Sequence, residues 1–148
     1  MTISLPPETS SPQRLQPSGW LRYFSFSVDH KVIGLQYLVC GFVFYLIGGA
    51  LAGAIRTELT SPVSDFMARD VYNQVLTLHG TVMIFLWIVP VVNGAFGNYL
   101  IPFYVGARDM AFPRLNAVAF WLIPPAGLML ITSYFLTGAA QSGWTAYP

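Results

Sequence analysis

The stretch YNQVLTLHGTVMIFLWIVPVVNGAFGNYLIPFYV, residues 72–105, decides the fold class, because it contains no Asp, Glu, Lys or Arg. As one continuous helix it would be ~50 Å long, which exceeds the ~30 Å hydrocarbon core of a bilayer. Pro90 lies inside it, so we expect a tilted or kinked helix that bends near that residue. The stretch predicts a membrane-spanning helix at about residues 74–104.

The composition of the whole chain agrees with a membrane location. Of its 148 residues, 55% are hydrophobic and only 9% are charged, whereas an average soluble domain has about 25% charged residues. The net charge of +1 excludes the basic surface that a nucleic-acid-binding protein needs. A single cysteine, Cys40, leaves neither a disulfide framework nor a cysteine-based metal site. These figures predict an all-α membrane protein.

Two further apolar segments, at about residues 32–55 and 116–136, bring the number of predicted transmembrane helices to three. Together they form a membrane domain that covers residues 20–148. Residues 1–19 are rich in Pro, Ser and Thr and lack apolar periodicity, which predicts a disordered arm.

The segment of residues 20–31 combines aromatic side chains with cations and predicts a short interfacial helix, in which His30 and Lys31 are interfacial cations. Three spans place the N-terminal arm and the connector of residues 106–115 on one side of the membrane. Lys and Arg are more numerous on that side. The positive-inside rule therefore predicts a cytoplasmic N-terminus.

His79 is the residue with the strongest functional signal. An ionisable side chain at membrane depth costs about 2.5 kcal/mol or more when charged, so it is normally neutral, paired and functional. A neutral imidazole keeps a lone pair on one ring nitrogen, which suits a haem iron. A hydrogen bond to a carbonyl of a neighbouring helix is the other interpretation, and His79 alone does not decide between them.

Arg56 ends the first span, at about the depth expected for His79. Its guanidinium either reaches lipid phosphate or donates to a polar substituent of a buried ligand. Trp144 and Tyr147, in the segment after the third span, are most simply interfacial anchors.

Asp109 lies in the connector between the second and third spans, and Asn98 and Asn116 flank it at the ends of those helices. An acid at such a mouth, with amides leading inward, is what a proton-uptake entrance needs. The other interpretation is an ordinary loop acid paired with Arg108 or Arg114.

Six linked motifs carry a resemblance to a known family: RTEL, YNQVLTLHGTVMIFLW, FGNYLIP, GARDMAFPRLN, FWLIPP and GWTAYP. In order and spacing, from Trp20 to Pro148, they resemble the N-terminal third of catalytic subunit I of the haem-copper oxidases. The resemblance implies the first three helices of a twelve-helix bundle. It also implies a fragment that is not active alone, because the ligands of the high-spin haem and of copper lie downstream in the family.

The resemblance implies roles for individual residues. His79 matches an axial ligand of the low-spin haem, and Arg56 matches the arginine that donates to the formyl group of an a-type haem. Trp144 matches a tryptophan near the haem propionates. The proton-channel residues implied are Asp109 at the entrance of the D channel and its neighbours Asn98 and Asn116. No residue that reduces oxygen is implied in this stretch.

For the whole enzyme, the resemblance implies electron transfer from cytochrome c through the low-spin haem to a high-spin haem and copper. Oxygen is reduced to water there, and protons are pumped. Oxidase subunits II and III and membrane lipids are the implied partners, in a bacterial plasma membrane or thylakoid. Cytochrome c is the expected donor, because Val71, Ile47 and Leu51 stand where quinol-oxidising relatives carry His, Arg and Asp.

Two other function classes remain open. One is a haem-free transporter or channel subunit in which His79 and Asp109 form a proton relay, and visible haem absorption would distinguish it from an oxidase. The other is a structural or assembly polypeptide that ends at Pro148, which the downstream coding sequence would test.

Overall fold

The structure is a computed structural model that describes residues 19–60, 62 and 66–147. Residues 1–18, which make up almost all of the predicted arm, lie outside the described residues. The described residues form helices and no strands: a short 3-10 helix, Gly19–Phe24, and three long helices, α1 (His30–Glu58), α2 (Arg69–Val105) and α3 (Pro113–Leu136). The all-α prediction is confirmed, and each long helix is long and apolar enough to cross a membrane.

Helix α1 begins where its sequence offers a cap. The Asp29 side chain accepts a hydrogen bond from the Lys31 backbone N–H at 2.9 Å, which satisfies one of the free donors at the helix start. The interfacial helix predicted for residues 20–31 is shorter than expected. The 3-10 helix ends at Phe24, and α1 already begins at His30.

The prediction that His30 is an interfacial cation is wrong. Its side chain is buried, with 6% exposed. Its ring nitrogen Nδ1 lies 2.8 Å from the backbone oxygen of Asn98 on α2. Because a carbonyl oxygen can only accept, Nδ1 carries the proton, and the imidazole is satisfied inside the bundle and not by lipid. Lys31, the next residue, is exposed as expected.

Helix α2 is continuous but not uniform. It is α-helical over Arg69–Thr81, π-helical over Val82–Ile88 and Pro90–Phe96, and α-helical again over Gly97–Val105. The irregularity expected near Pro90 thus takes the form of two stretches of wider winding, in keeping with a proline that has no N–H to donate. Gly106, with φ 68°, follows the helix in the left-handed conformation typical of a helix end.

Two apolar clusters hold the three helices together. One contains Ile33, Tyr37, Ala95, Ala117 and Phe120, and the other contains Phe44, Val82 and Leu86. Large apolar side chains on the outer faces remain exposed, as expected for helices surrounded by lipid or by further helices. The chain is an integral membrane protein.

Gly94 allows α2 to pack directly against the ring of the buried Tyr37, and a Cβ atom at Gly94 would overlap that ring. We therefore expect Gly94→Ala in the full-length subunit to destabilise the assembled protein by about 1–3 kcal/mol, measured as a lower thermal denaturation temperature. Gly97→Ala is the matched control on the same helix, because its Cβ would meet nothing closer than 3.8 Å. Equal effects of the two substitutions would contradict this account of the helix contact.

Candidate functional site

The polar side chains that point into the bundle form two groups, one toward each end. We call the end where α1 begins, α2 ends and α3 begins the His30 end. We call the opposite end, where α1 ends, α2 begins and α3 ends, the Arg56 end.

His79 lies ten residues into α2, counted from Arg69, and its ring faces α1. Ring nitrogen Nδ1 lies 2.9 Å from the backbone oxygen of Gly48. That oxygen can only accept, so Nδ1 carries the proton and Nε2 keeps a free lone pair. Histidines that bind metals usually donate their other ring N–H to a carbonyl or carboxylate in this way. The arrangement therefore satisfies one ring nitrogen and leaves the other able to bind an iron.

A glycine at position 48 is what lets the two helices approach here. A Cβ atom at Gly48 would lie 2.5 Å from Met83 Sδ, a distance that real Cβ contacts do not show. A larger residue would require the Met83 side chain to move out of this contact. The sequence thus places a small residue at the level of the imidazole.

One face of α1 beside this contact is built from small residues. Gly49, Ala52, Gly53 and Arg56 share that face by helical spacing. A Cβ atom at Gly49 or Gly53 would meet nothing within 4 Å, so the space next to this face is open. A flat macrocycle fits against such a face, because no side chain projects from the two glycines.

Arg56 is exposed and lies at the outer end of the small-residue face. The backbone of Arg56 lies about two turns of α1 beyond the residue that His79 contacts. His79 contacts Gly48, and Arg56 follows Gly48 by eight residues, or ~12 Å along the helix axis. The Cα–Cβ bond of Arg56 tilts toward the N-terminus of the helix, which is the direction of the small-residue face.

Trp144 lies beside the residue that follows His79. A Cβ atom at Gly80 would be 3.1 Å from both Cβ and Cδ1 of Trp144, so the indole packs directly on the glycine. The ring of Phe85 is also near, with a centroid separation of 6.4 Å. The structure thus places Trp144 against the residue next to His79, at the Arg56 end.

Two residues that the sequence did not single out hold the segment containing Trp144. Gln74 Oε1 accepts from the Ala139 N–H, and Thr77 Oγ1 accepts from the Gly143 N–H, both at 3.0 Å. The sequence signal for this contact was a pair of polar residues three positions apart in an apolar helix. That spacing places both on one face, where they can bond to a neighbouring segment.

At the His30 end, Asn98 joins all three helices. It is 4% exposed, and its Nδ2 donates to the Gly94 backbone oxygen at 2.7 Å. Its Oδ1 accepts from Asn116 Nδ2 on α3, and its backbone oxygen accepts from His30 Nδ1 on α1. The two asparagines lie together, and His30 is a third member that the sequence did not reveal. The sequence signal for this contact was Gly34, one turn further along α1 than His30. A Cβ atom at Gly34 would lie 3.1 Å from the Ala95 backbone oxygen, so α1 and α2 approach closely here.

Asp109 lies in the connector between α2 and α3 and is exposed. Its Oδ1 accepts a hydrogen bond from the Met110 N–H at 2.8 Å. Within the described part of the chain, no hydrogen bond joins Asp109 to Asn98 or Asn116. The carboxylate is thus accessible to water at the same end of the bundle as the buried asparagine pair.

The family model that describes cytochrome c and quinol oxidase polypeptide I matches residues 32–148. The chain is 62% identical over 139 residues to cytochrome c oxidase subunit 1 of Thermostichus vulcanus, which covers 94% of this chain and 25% of that protein. It is 64% identical over 129 residues to the Synechocystis protein of the same name, covering 87% and 23%. It is 43% identical over 145 residues to that of Corynebacterium glutamicum, covering 93% and 24%. The chain spans about a quarter of the length of these curated relatives.

Proposed function

Because the chain belongs to the cytochrome c and quinol oxidase polypeptide I family, we propose that it is part of the catalytic subunit of a terminal respiratory oxidase. The whole enzyme transfers electrons from cytochrome c to O2, reduces it to water and pumps protons. Cytochrome c is favoured over quinol as the donor by the names of the similar proteins. The apolar side chains of Val71, Ile47 and Leu51 also offer no polar group to a quinol.

The hydrogen bond between His79 and Gly48 carries this proposal. It fixes the proton on Nδ1, so Nε2 is the atom that holds the iron of a low-spin haem. When bound, the haem supplies one-electron transfer between cytochrome c and the high-spin haem and copper of the whole subunit.

Arg56 and Trp144 orient the same group in this proposal. The Arg56 guanidinium would donate to the formyl oxygen of an a-type haem, and its positive charge would raise the haem potential. The Trp144 indole N–H is a donor for a propionate. Support for both roles comes from their position: Arg56 ends the small-residue face, and Trp144 packs on Gly80.

The His30 end takes up protons in this proposal. Asp109 collects a proton from the aqueous side, since its carboxylate is exposed in the connector. Asn116 and Asn98 then order the path inward, because their side-chain amides are bonded to each other across α3 and α2. His30 fixes the Asn98 backbone from α1 and so keeps the asparagine in place.

We assign the His30 end to the cytoplasmic side of an energy-transducing membrane, either a bacterial plasma membrane or a thylakoid. Lys31, Arg108 and Arg114 are all exposed there, which agrees with the positive-inside rule. The outer apolar faces of the helices contact lipid, the remaining helices of the subunit, and oxidase subunits II and III.

The optical spectrum of the full-length complex tests this proposal. We expect low-spin haem bands in the wild type and a shifted low-spin band in Arg56→Met, because the formyl oxygen loses its donor. Arg69→Met is the matched control, since Arg69 is also exposed at the Arg56 end but belongs to the first turn of α2. An unshifted band would make Arg56 a lipid contact only. A colourless wild-type complex would overturn the oxidase and favour a haem-free proton relay through His79 and Asp109.

A further inference from the structure

The segment that follows α3, residues 137–147, folds back onto the first half of α2. The Ala139 N–H donates to Gln74 Oε1 at 3.0 Å, and the Gly143 N–H donates to Thr77 Oγ1 at 3.0 Å. Both acceptors are side chains of α2, and both donors are backbone amides of the segment. The contact is therefore built by α2 side chains that reach out to an irregular backbone.

The attachment points on α2 are evenly spaced. Gln74, Thr77 and Gly80 follow one another at three-residue intervals and so lie on one face, ~4.5 Å apart along the axis. Gly80 is the third point, because the Trp144 side chain packs on it. A Cβ atom at Gly80 would lie only 3.1 Å from that side chain. The bonded amide of Gly143 directly precedes Trp144, so the last two contacts share one stretch of backbone.

The Thr77 hydroxyl both accepts and donates a hydrogen bond. It accepts from the Gly143 N–H, and its own proton goes to the Asn73 backbone oxygen at 2.7 Å. The side chain is 7% exposed, so water does not readily replace it. If the hydroxyl were removed, the Gly143 N–H would lose its partner at a half-buried position.

Trp144 depends on this attachment because its contacts with Gly80 and Phe85 cover only part of the ring. The indole is half-exposed, and the backbone around it turns sharply, with left-handed conformations at Gly143 and Ala146 (φ 74° and 49°). A half-exposed ring on such a segment gains its position from the backbone that carries it. Thr77 fixes that backbone one residue before the ring.

We propose that Thr77 is a positioning residue for the haem site: its hydroxyl fixes Gly143 and thereby sets Trp144 over Gly80, beside the His79 ligand. This inference rests on the proposed function, since it assumes a haem bound at His79. Gln74 acts in the same way one turn earlier, by fixing Ala139.

The test uses the full-length oxidase complex with Thr77→Val, which keeps the shape of the side chain and removes the acceptor. Thr77→Ser restores the hydroxyl. Thr81→Val is the matched control, because within the described residues the Thr81 hydroxyl bonds only to the Thr77 backbone oxygen of its own helix, at 2.8 Å. Two readouts are taken: hydrogen–deuterium exchange of the peptide that covers residues 137–147, and the absorption and midpoint potential of the low-spin haem.

In Thr77→Val we expect exchange at the loop to be roughly tenfold faster, because the half-buried Gly143 amide loses its acceptor. The haem potential should shift by more than in Thr81→Val, and Thr77→Ser should restore both values. If Thr77→Val does not assemble, Gln74→Leu removes the neighbouring acceptor and should change both readouts in the same direction.

A variant with faster loop exchange but a wild-type haem potential and spectrum would overturn the positioning role and leave the proposed function intact. Unchanged loop exchange would also overturn it, since the hydroxyl would then not hold the segment. A wild-type complex without low-spin haem would instead overturn the proposed function, and the positioning role would fall with it.

Discussion

Replacing His79 by alanine in the full-length subunit should abolish the low-spin haem absorption. The imidazole is the only group of this chain that we assign to the iron, and its Nε2 is free because Nδ1 is bonded to Gly48. Loss of the group that hydrogen-bonds to a metal ligand typically costs roughly 10–100-fold in activity. Oxygen consumption should fall by more than this, because the substitution removes the ligand itself. Reduced-minus-oxidised spectra and oxygen uptake measure the two effects.

His30→Ala is the control for this substitution. His30 is the other histidine of the chain and lies 18 residues before Gly48, ~27 Å along α1. Its replacement should leave the low-spin band in place. Imidazole added to the His79→Ala complex should partly restore that band, which separates loss of a ligand from failure to assemble. A normal low-spin band in His79→Ala would show that the ring serves only to join α1 and α2.

The second large effect is expected from Asp109→Asn, which keeps the size of the side chain and removes its ability to collect and release a proton. Turnover and proton uptake should fall by at least about tenfold, as when a group that transfers protons is removed. Both haem bands should be unchanged, because Asp109 is exposed in the connector at the His30 end, away from His79.

Asp70→Asn is the matched control, since Asp70 is also an exposed carboxylate but lies in the first turn of α2 at the Arg56 end. It should retain wild-type turnover. If Asp109→Asn turned over at the wild-type rate, the channel role would be lost and Asp109 would be an ordinary loop acid. Equal losses in both variants would point to a general effect of surface charge.

Hydropathy was sufficient to predict the three helices, because a membrane span must satisfy all its backbone groups internally and must present apolar side chains to lipid. The observed helices extend beyond the apolar segments, most of all in α2, which begins at Arg69 and not near residue 74. Helix ends are set by capping and by local hydrogen bonds, which hydropathy does not register.

The polar contacts between helices could not be read from the sequence. His30 has the composition signals of an interfacial cation, since Lys31 follows it and aromatic residues precede it. Its burial depends on the Asn98 carbonyl, 68 residues away along the chain. The Thr77 contact with Gly143 spans 66 residues in the same way. The local signals, Gly34 near His30 and the pair Gln74 and Thr77 on one face of α2, do not identify these distant partners, because each contact exists only once the helices have packed.

The π-helical segments in the middle of α2 change the helical-wheel projection of this helix. A π-helical turn bonds each residue to the fifth one along and not to the fourth, so the angular phase of every residue after Val82 departs from that of a regular wheel. A projection drawn at 100° per residue across positions 82–96 would assign Asn98 to the wrong azimuth relative to His79. Substitutions chosen from such a diagram would fall on the wrong face of the helix. A single-residue deletion between those positions would instead be absorbed by converting one π-helical turn to an α-helical turn.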